Sequence, residues 1–343
     1  YGPSSSYAAG ISVVGSFVSG SETPCYVYSK SVTGAAETIS HEVGHTLGLS
    51  HDGTSTSEYY TGQGAGETGW APIMGGGNSQ NVTTWDDGTY TGSDNGGSSG
   101  NYGAGADDLS IITTNNGLSY QTDLVGNSLS TAAPLSIKDG VAQQFGVIET
   151  RSDLDCYSFQ LLDTGSLNLS FDPYWYRAYV DSDGAWGGDS MAYVASTSDV
   201  NSATPYPDHT SNLDLSAQLY NASGSLLYTS NNPGLATTIS LQGLSAGTYY
   251  LKLDGVGYGD PTASTPTGYS DYASLGNYMI SGAITAAANS TANPVVTLSL
   301  SPSSVSEDGN GILAYTFTRS AVTANSLSIN FTVSGTATNG SEY

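Results

Sequence analysis

The hydrophobic pattern changes period along the chain. Ile39, Val43 and Leu47 recur every four positions, the spacing that lines one face of a helix, so Thr33 to Leu49 is predicted helical. Upstream, Gly10–Val18 and Tyr26–Tyr28 concentrate β-branched and aromatic residues and predict two short strands. Asn78–Gly103 has few aliphatics and many Gly, Ser and Asn, so it is predicted as loop. Asp107-Asp108-Leu109-Ser110-Ile111-Ile112 follows as a short helix with acids in its first turn, where they act as caps. From about residue 122 the period becomes two. Leu167, Leu169 and Phe171 make one inward face, and Tyr249, Leu251 and Leu253 another. Leu213–Tyr220 alternates throughout, then turns at Asn221-Ala-Ser-Gly224 into a strand at Ser225–Tyr228. Short strands joined by turn residues predict an antiparallel sandwich. A linker-like stretch at 286–294 leads to three more alternating strands, Val295–Leu300, Ile312–Thr318 and Leu327–Val333.

The predicted helix carries chemistry as well as a core face. His41 and His45 are four residues apart, on one helical face, where two imidazoles can share a metal ion. Glu42 follows the first histidine and can reach a water on that metal without being a ligand. Gly48 sits where such a helix ends, because glycine adopts the left-handed conformation without a Cβ clash. The turn swings His51 back as a third ligand. Three neutral imidazoles with one open position describe a catalytic zinc site, not a closed structural one.

The full pattern from His41 to Asp52, HExxHxxGxxHD, resembles the metzincin metalloproteases in their reprolysin-like (adamalysin-like) form. The resemblance implies a methionine turn beneath the metal, which Ala71-Pro72-Ile73-Met74-Gly75 fits through Met74. The position two residues after that methionine, a tyrosine in astacin-like and serralysin-like relatives, is Gly76 here. No tyrosine or histidine is therefore expected to hold the oxyanion. Asp52 is expected to be a buried hydrogen-bond acceptor that orients the turn. The two N-terminal strands match the edge strand and last strand of the sheet above the cleft, along which a peptide substrate would pair. Metzincin domains carry more elements upstream of the zinc helix than 40 residues can supply. The expectation is that the chain begins inside its catalytic domain and, as a fragment, cleaves weakly or not at all.

Two further resemblances lie downstream. Asp153–Phe159, Leu244–Leu251 and Tyr269–Tyr278 together resemble the bacterial pre-peptidase C-terminal domain, a jelly-roll-like appendage of secreted proteases. Ser304–Gly309, Thr318-Arg319 and Ser334–Thr338 resemble the opening of a Calx-beta domain, in which Glu307 and Asp308 would contribute calcium ligands. The implied chain is multidomain. An N-terminally truncated α+β metzincin catalytic domain (1–118) precedes an all-β jelly-roll-like sandwich (122–285), a linker (286–294) and a partial second β-sandwich (295–343).

Composition narrows the function classes. Lys and Arg total 6 against 30 Asp and Glu, a net charge of −24, which excludes the positive surface needed for nucleic acid or anionic membranes. No stretch is long and apolar enough for a membrane-spanning helix. Such composition suits a secreted, extracellular and, by resemblance, bacterial protein; its acidic loops serve solubility or hold calcium. Asp181, Asp183 and Asp189 are calcium candidates within Asp172–Asp189, whose Tyr174, Trp175, Tyr176 and Trp186 either stack on a polysaccharide or cell-surface sugar or pack on their own sandwich. His209, in a Pro-rich polar loop, is expected at the surface. Cys25 and Cys156 are not expected to bond to each other; Cys25 pairs outside this sequence or stays free.

The reading that follows is a zinc endopeptidase acting on protein or peptide substrates. Glu42 would be the general base and His41, His45 and His51 the ligands. The alternative from another class is a non-catalytic, calcium-dependent surface-binding or adhesion protein carrying an inert protease remnant.

Overall fold

A computed structural model describes residues 9–20, 22–28, 32–77, 80–94, 107–173, 212–288, 296–301 and 314–319. The described residues are mostly β, in several sheets, with few helices. No helix among them is long and apolar enough to cross a membrane.

The N-terminal part is built from short pieces. Strands β1 (Gly10–Ile11) and β2 (Tyr26–Val27) pair antiparallel and lie against helix α1 (Val32–Thr46). The strand expected over Gly10–Val18 is thus only two residues long. Gly15 takes a left-handed φ of 71°, and Ser16–Val18 turn as a 3-10 helix; β-branched residues alone cannot extend a strand through a reversed glycine. After α1 come β3 (Gly53–Thr54), β4 (Trp70–Pro72), β5 (Val82–Thr84), β6 (Ser93–Asp94) and α2 (Asp108–Asn115). The pairs are β3 with β6, antiparallel, and β4 with β5, parallel. The expectation of loop from 78 to 103 therefore fails at β5 and β6. A buried hydrogen bond of 2.8 Å from Trp70 Nε1 to Thr84 Oγ1 helps hold β5 in a stretch with few aliphatics of its own. Asp107 caps α2 as expected, accepting from Ser110 N at 2.8 Å.

The helix face expected to be core is a second correction. Leu47 is buried, but Ile39 is 51% and Val43 40% exposed. Their four-residue period is real, and among the described residues nothing covers that face.

The alternating stretches form two five-stranded sheets. Their strands are β7 (Ala133–Pro134), β8 (Ile137–Lys138), β9 (Val141–Ile148), β10 (Leu154–Leu161), β11 (Gly165–Pro173), β12 (Leu215–Asn221), β13 (Leu226–Ser230), β14 (Thr237–Leu244), β15 (Gly247–Gly255) and β16 (Gly276–Ile284). One sheet runs β13-β12-β15-β10-β7 and the other β14-β11-β16-β9-β8. Leu167, Leu169 and Phe171 of the second sheet and Tyr249, Leu251 and Leu253 of the first meet in one buried core, so the expected inward faces are correct. Residues 286–288, expected to begin a linker, still bond to the sandwich: Leu162 N donates to Ala286 O, and Ala288 N to Gln160 O. Farther on, β17 (Val296–Ser301) and β18 (Ala314–Arg319) pair antiparallel. The strand expected at Leu327–Val333, the aromatics at Tyr174–Trp186, His209 and all five calcium candidates (Asp181, Asp183, Asp189, Glu307, Asp308) lie outside the described residues.

The sandwich also touches the N-terminal part. Leu235 and Tyr269 pack with Trp70, Val82 and Tyr90 in a second buried cluster. Gln63 Nε2 donates to Gly268 O at 2.7 Å, and Tyr272 OH to Asp107 Oδ1 at 2.5 Å.

Candidate metal centre

Helix α1 delivers two histidines and the turn after it delivers the third. Gly48 adopts φ 101°, the left-handed conformation expected of it, and the chain folds back so that ring nitrogens of His41, His45 and His51 lie within 4.8 Å of one another. Each ring is fixed from behind. His41 Nδ1 donates to Ile73 O at 2.8 Å, His45 Nδ1 to Leu49 O at 2.9 Å, and His51 Nδ1 to Glu58 Oε1 at 2.8 Å. These acceptors place the proton on Nδ1 and leave Nε2 with its lone pair, the arrangement that backs metal-ligating histidines.

Burial favours the neutral form of His41 and His51. It pushes His41 down to about 4, against the hydrogen bond to Ile73, and His45 and His51 add to the lowering. His51 is lowered as well, chiefly by burial and then by His45, with Glu58 opposing. With their Nδ1 atoms engaged by Leu49 O and Glu58, His45 and His51 turn their Nε2 atoms toward each other at 3.0 Å. Neutral acceptors at that distance repel unless a cation lies between them. Ligands held at zinc–nitrogen distance with tetrahedral angles are roughly 3.4 Å apart. The donor set fits zinc.

Glu42 lies beside the triad and is only 5% exposed. Ser12 Oγ donates to its Oε2 at 2.5 Å. A Cβ at Gly10 would overlap the Glu42 side chain, so glycine lets β1 lie directly on the carboxylate. Met74 is fully buried. A Cβ on Gly44 would run into its sulfur and come within 3.0 Å of Trp85 Cζ3, so Met74 sits under α1 between the turns that carry the ligands. Gly44 is thus part of the seat.

Asp52 is buried as expected, and its backbone is tied on both sides: Asp52 N donates to Met74 O at 2.9 Å and Tyr60 N to Asp52 O at 2.8 Å. Its Oδ2 has no partner. Burial, then Asp108 and Asp86, raises its carboxyl well above the usual range. A neutral acid here avoids the large cost of a buried unpaired charge.

The sequence reading missed four residues of this site. Glu58, behind His51, has no fixed spacing to announce it. Ser12 and Gly44 have only small side chains. Tyr59 has no motif spacing to announce it: its ring lies beside His51, with centroids 4.2 Å apart, and 6.2 Å from His41. Cys25 and Cys156 are both free thiols.

A comparison with curated proteins finds no match to the chain. Residues 3–52, ending one position beyond the third histidine, match the family described as metallo-peptidase family M12B, reprolysin-like.

Proposed function

We propose that the chain carries the site of a zinc endopeptidase. The observation that supports it best is the His45–His51 contact, where two imidazoles held from behind by Leu49 O and Glu58 turn bare nitrogens toward one point. The family match at 3–52 supports a peptidase, and zinc is the metal of that family. Zinc, when bound, supplies Lewis-acid chemistry that makes water nucleophilic near neutral pH and polarises the scissile carbonyl.

The protein's residues supply the rest. Glu42 is the general base, which takes a proton from the attacking water and passes it to the leaving amine. Ser12 pins one carboxylate oxygen, so that the other keeps a fixed direction for transfer. A substrate segment lies extended along β1, which rests on Glu42, and main-chain pairing brings its carbonyl to the base. Tyr59, 41% exposed over His51, closes the solvent side of the imidazoles. Met74 forms the apolar floor. The catalytic unit at 1–118 and its extracellular setting are parts of the same reading.

Glu42→Ala tests it. The variant is expected to keep about one zinc per chain and, in a parent-length protein that cleaves peptides, to lose about 100- to 10,000-fold in cleavage, the usual worth of a positioned general base. Undiminished cleavage by the variant would sink the mechanism, and wild-type protein that retains no zinc would sink the site.

A further inference from the structure

A second cluster, far from the histidines in sequence, has the opposite chemistry. Asp123, Asp153 and Asp155 bring carboxylate oxygens within 4.8 Å of one another. Asp153 and Asp155 belong to the turn and first residues of β10, while Asp123 lies on the segment between α2 and the sandwich. Glu149 stands beside them, its backbone N–H donating to Asp153 Oδ2 at 3.1 Å.

Clustered acids alone prove nothing, since many are merely solvated. Here three of the four acids are out of solvent. Asp153 is 4%, Asp155 0% and Glu149 8% exposed. Each carries one buried oxygen without a hydrogen-bond partner: Asp153 Oδ1, Asp155 Oδ1 and Glu149 Oε2. Buried polar atoms are nearly always paired, so three orphans in one cluster need an explanation. No Lys or Arg among the described residues pairs with any of the four; Arg151, in the same turn, reaches out to Asp87 Oδ2 at 3.4 Å and Asp271 Oδ1 at 2.5 Å.

We propose that Asp123, Asp153 and Asp155, with Glu149 beside them, bind a hard divalent cation of the calcium type. The donors are all oxygen, which suits calcium over the thiophilic and imidazole-preferring metals. Their oxygens lie no farther apart than two ligands on opposite sides of one calcium ion, about 4.8 Å at typical calcium–oxygen distances. The remaining lone pairs are held in place: Tyr278 OH donates to Asp155 Oδ2, while Val125 N and Asn127 Nδ2 donate to Asp123 at 2.9 and 2.8 Å. Asn127 Oδ1 in turn accepts from Leu154 N at 2.6 Å, which fixes the Asp123 segment against β10.

The consequence is mechanical. A cation here ties the segment leaving α2 to the sandwich and fixes the turn whose Arg151 bridges Asp87 of the N-terminal part and Asp271 of the sandwich. This inference is independent of the zinc reading.

The test uses the full chain, freed of calcium and kept in zinc-containing buffer, with thermal unfolding followed as calcium is added. Calcium is expected to raise Tm by several degrees with an apparent Kd of about 10⁻⁶ to 10⁻³ M. Magnesium at equal concentration is expected to do much less. Asp123 is exposed, so Asp123→Asn should fold and weaken calcium at least tenfold, whereas the exposed control Asp163→Asn should leave it unchanged. Terbium luminescence excited through tyrosine gives a second readout on wild-type protein, expected to fall as calcium displaces terbium and to be weaker in Asp123→Asn. The proposal is overturned if calcium leaves Tm unchanged, if Asp123→Asn binds as wild type, or if magnesium binds as tightly.

Discussion

The two halves of the molecule stand on different foundations. The sandwich closes on itself: both sheets contribute to one core in which Leu167, Phe171, Leu215, Leu251, Leu253 and Ile280 are fully buried. Among the described residues the N-terminal part has no comparable core. Its buried cluster of Trp70, Val82 and Tyr90 is completed by Leu235 and Tyr269 of the sandwich, and its principal helix leaves Ile39 and Val43 exposed. Chemistry thus resides on a helix end and several loops, and rigidity is supplied from outside. Loops that carry function need such a scaffold, because they bury too little apolar surface to order themselves. The histidine triad is the product of both parts: its ligands lie on α1 and its turn, while the Trp70–Met74 segment beneath them is packed from the other side by the sandwich.

That asymmetry can be broken experimentally. The largest effect is expected from Phe171→Ala, which empties the middle of the sandwich core and should cost about 3–5 kcal/mol. Denaturant unfolding measures it, and zinc should be released in the same transition; zinc retained after the sandwich has unfolded would refute the dependence. Leu235→Ala removes the contact between halves at a cost of about 2–3 kcal/mol. Its expected signature is selective, a loss of zinc affinity with little change in the midpoint of sandwich unfolding. Equal losses in both would mean that the two parts form one cooperative unit. Arg151→Ala should matter least. Arg151 contacts two carboxylates but is half exposed, and screened pairs of this kind contribute less than about 1 kcal/mol. A loss of several degrees in Tm at physiological salt would show that this bridge, not the apolar contact, joins the halves.

Much of the site was legible because its determinants are local. His41 and His45 share a face by helical period, Gly48 reverses the chain at φ 101° as its lack of a Cβ allows, and Asp107 caps α2 where an acid preceded a short apolar run. The alternation in β11, β12 and β15 revealed which residues point inward. Failures came where a partner decides. Periodicity assigned Ile39 and Val43 to a core face but could not say what covers it. Residues 82–84 looked like loop until Trp70 and Thr84 bonded across β4 and β5. Gly10–Val18 had strand composition, but Gly15 turned the chain after two paired residues.

The sequence by itself determined the chemistry of the histidine helix and the period of the sheets, since both follow from spacing within one segment. Only the tertiary structure decided what supports them. Glu58 behind His51, Ser12 on Glu42, the seat of Met74 against Gly44, and Asp123 beside Asp153 and Asp155 all join residues from separate segments. Side-chain contacts of that kind depend on how the chain closes in space, and no local period encodes them.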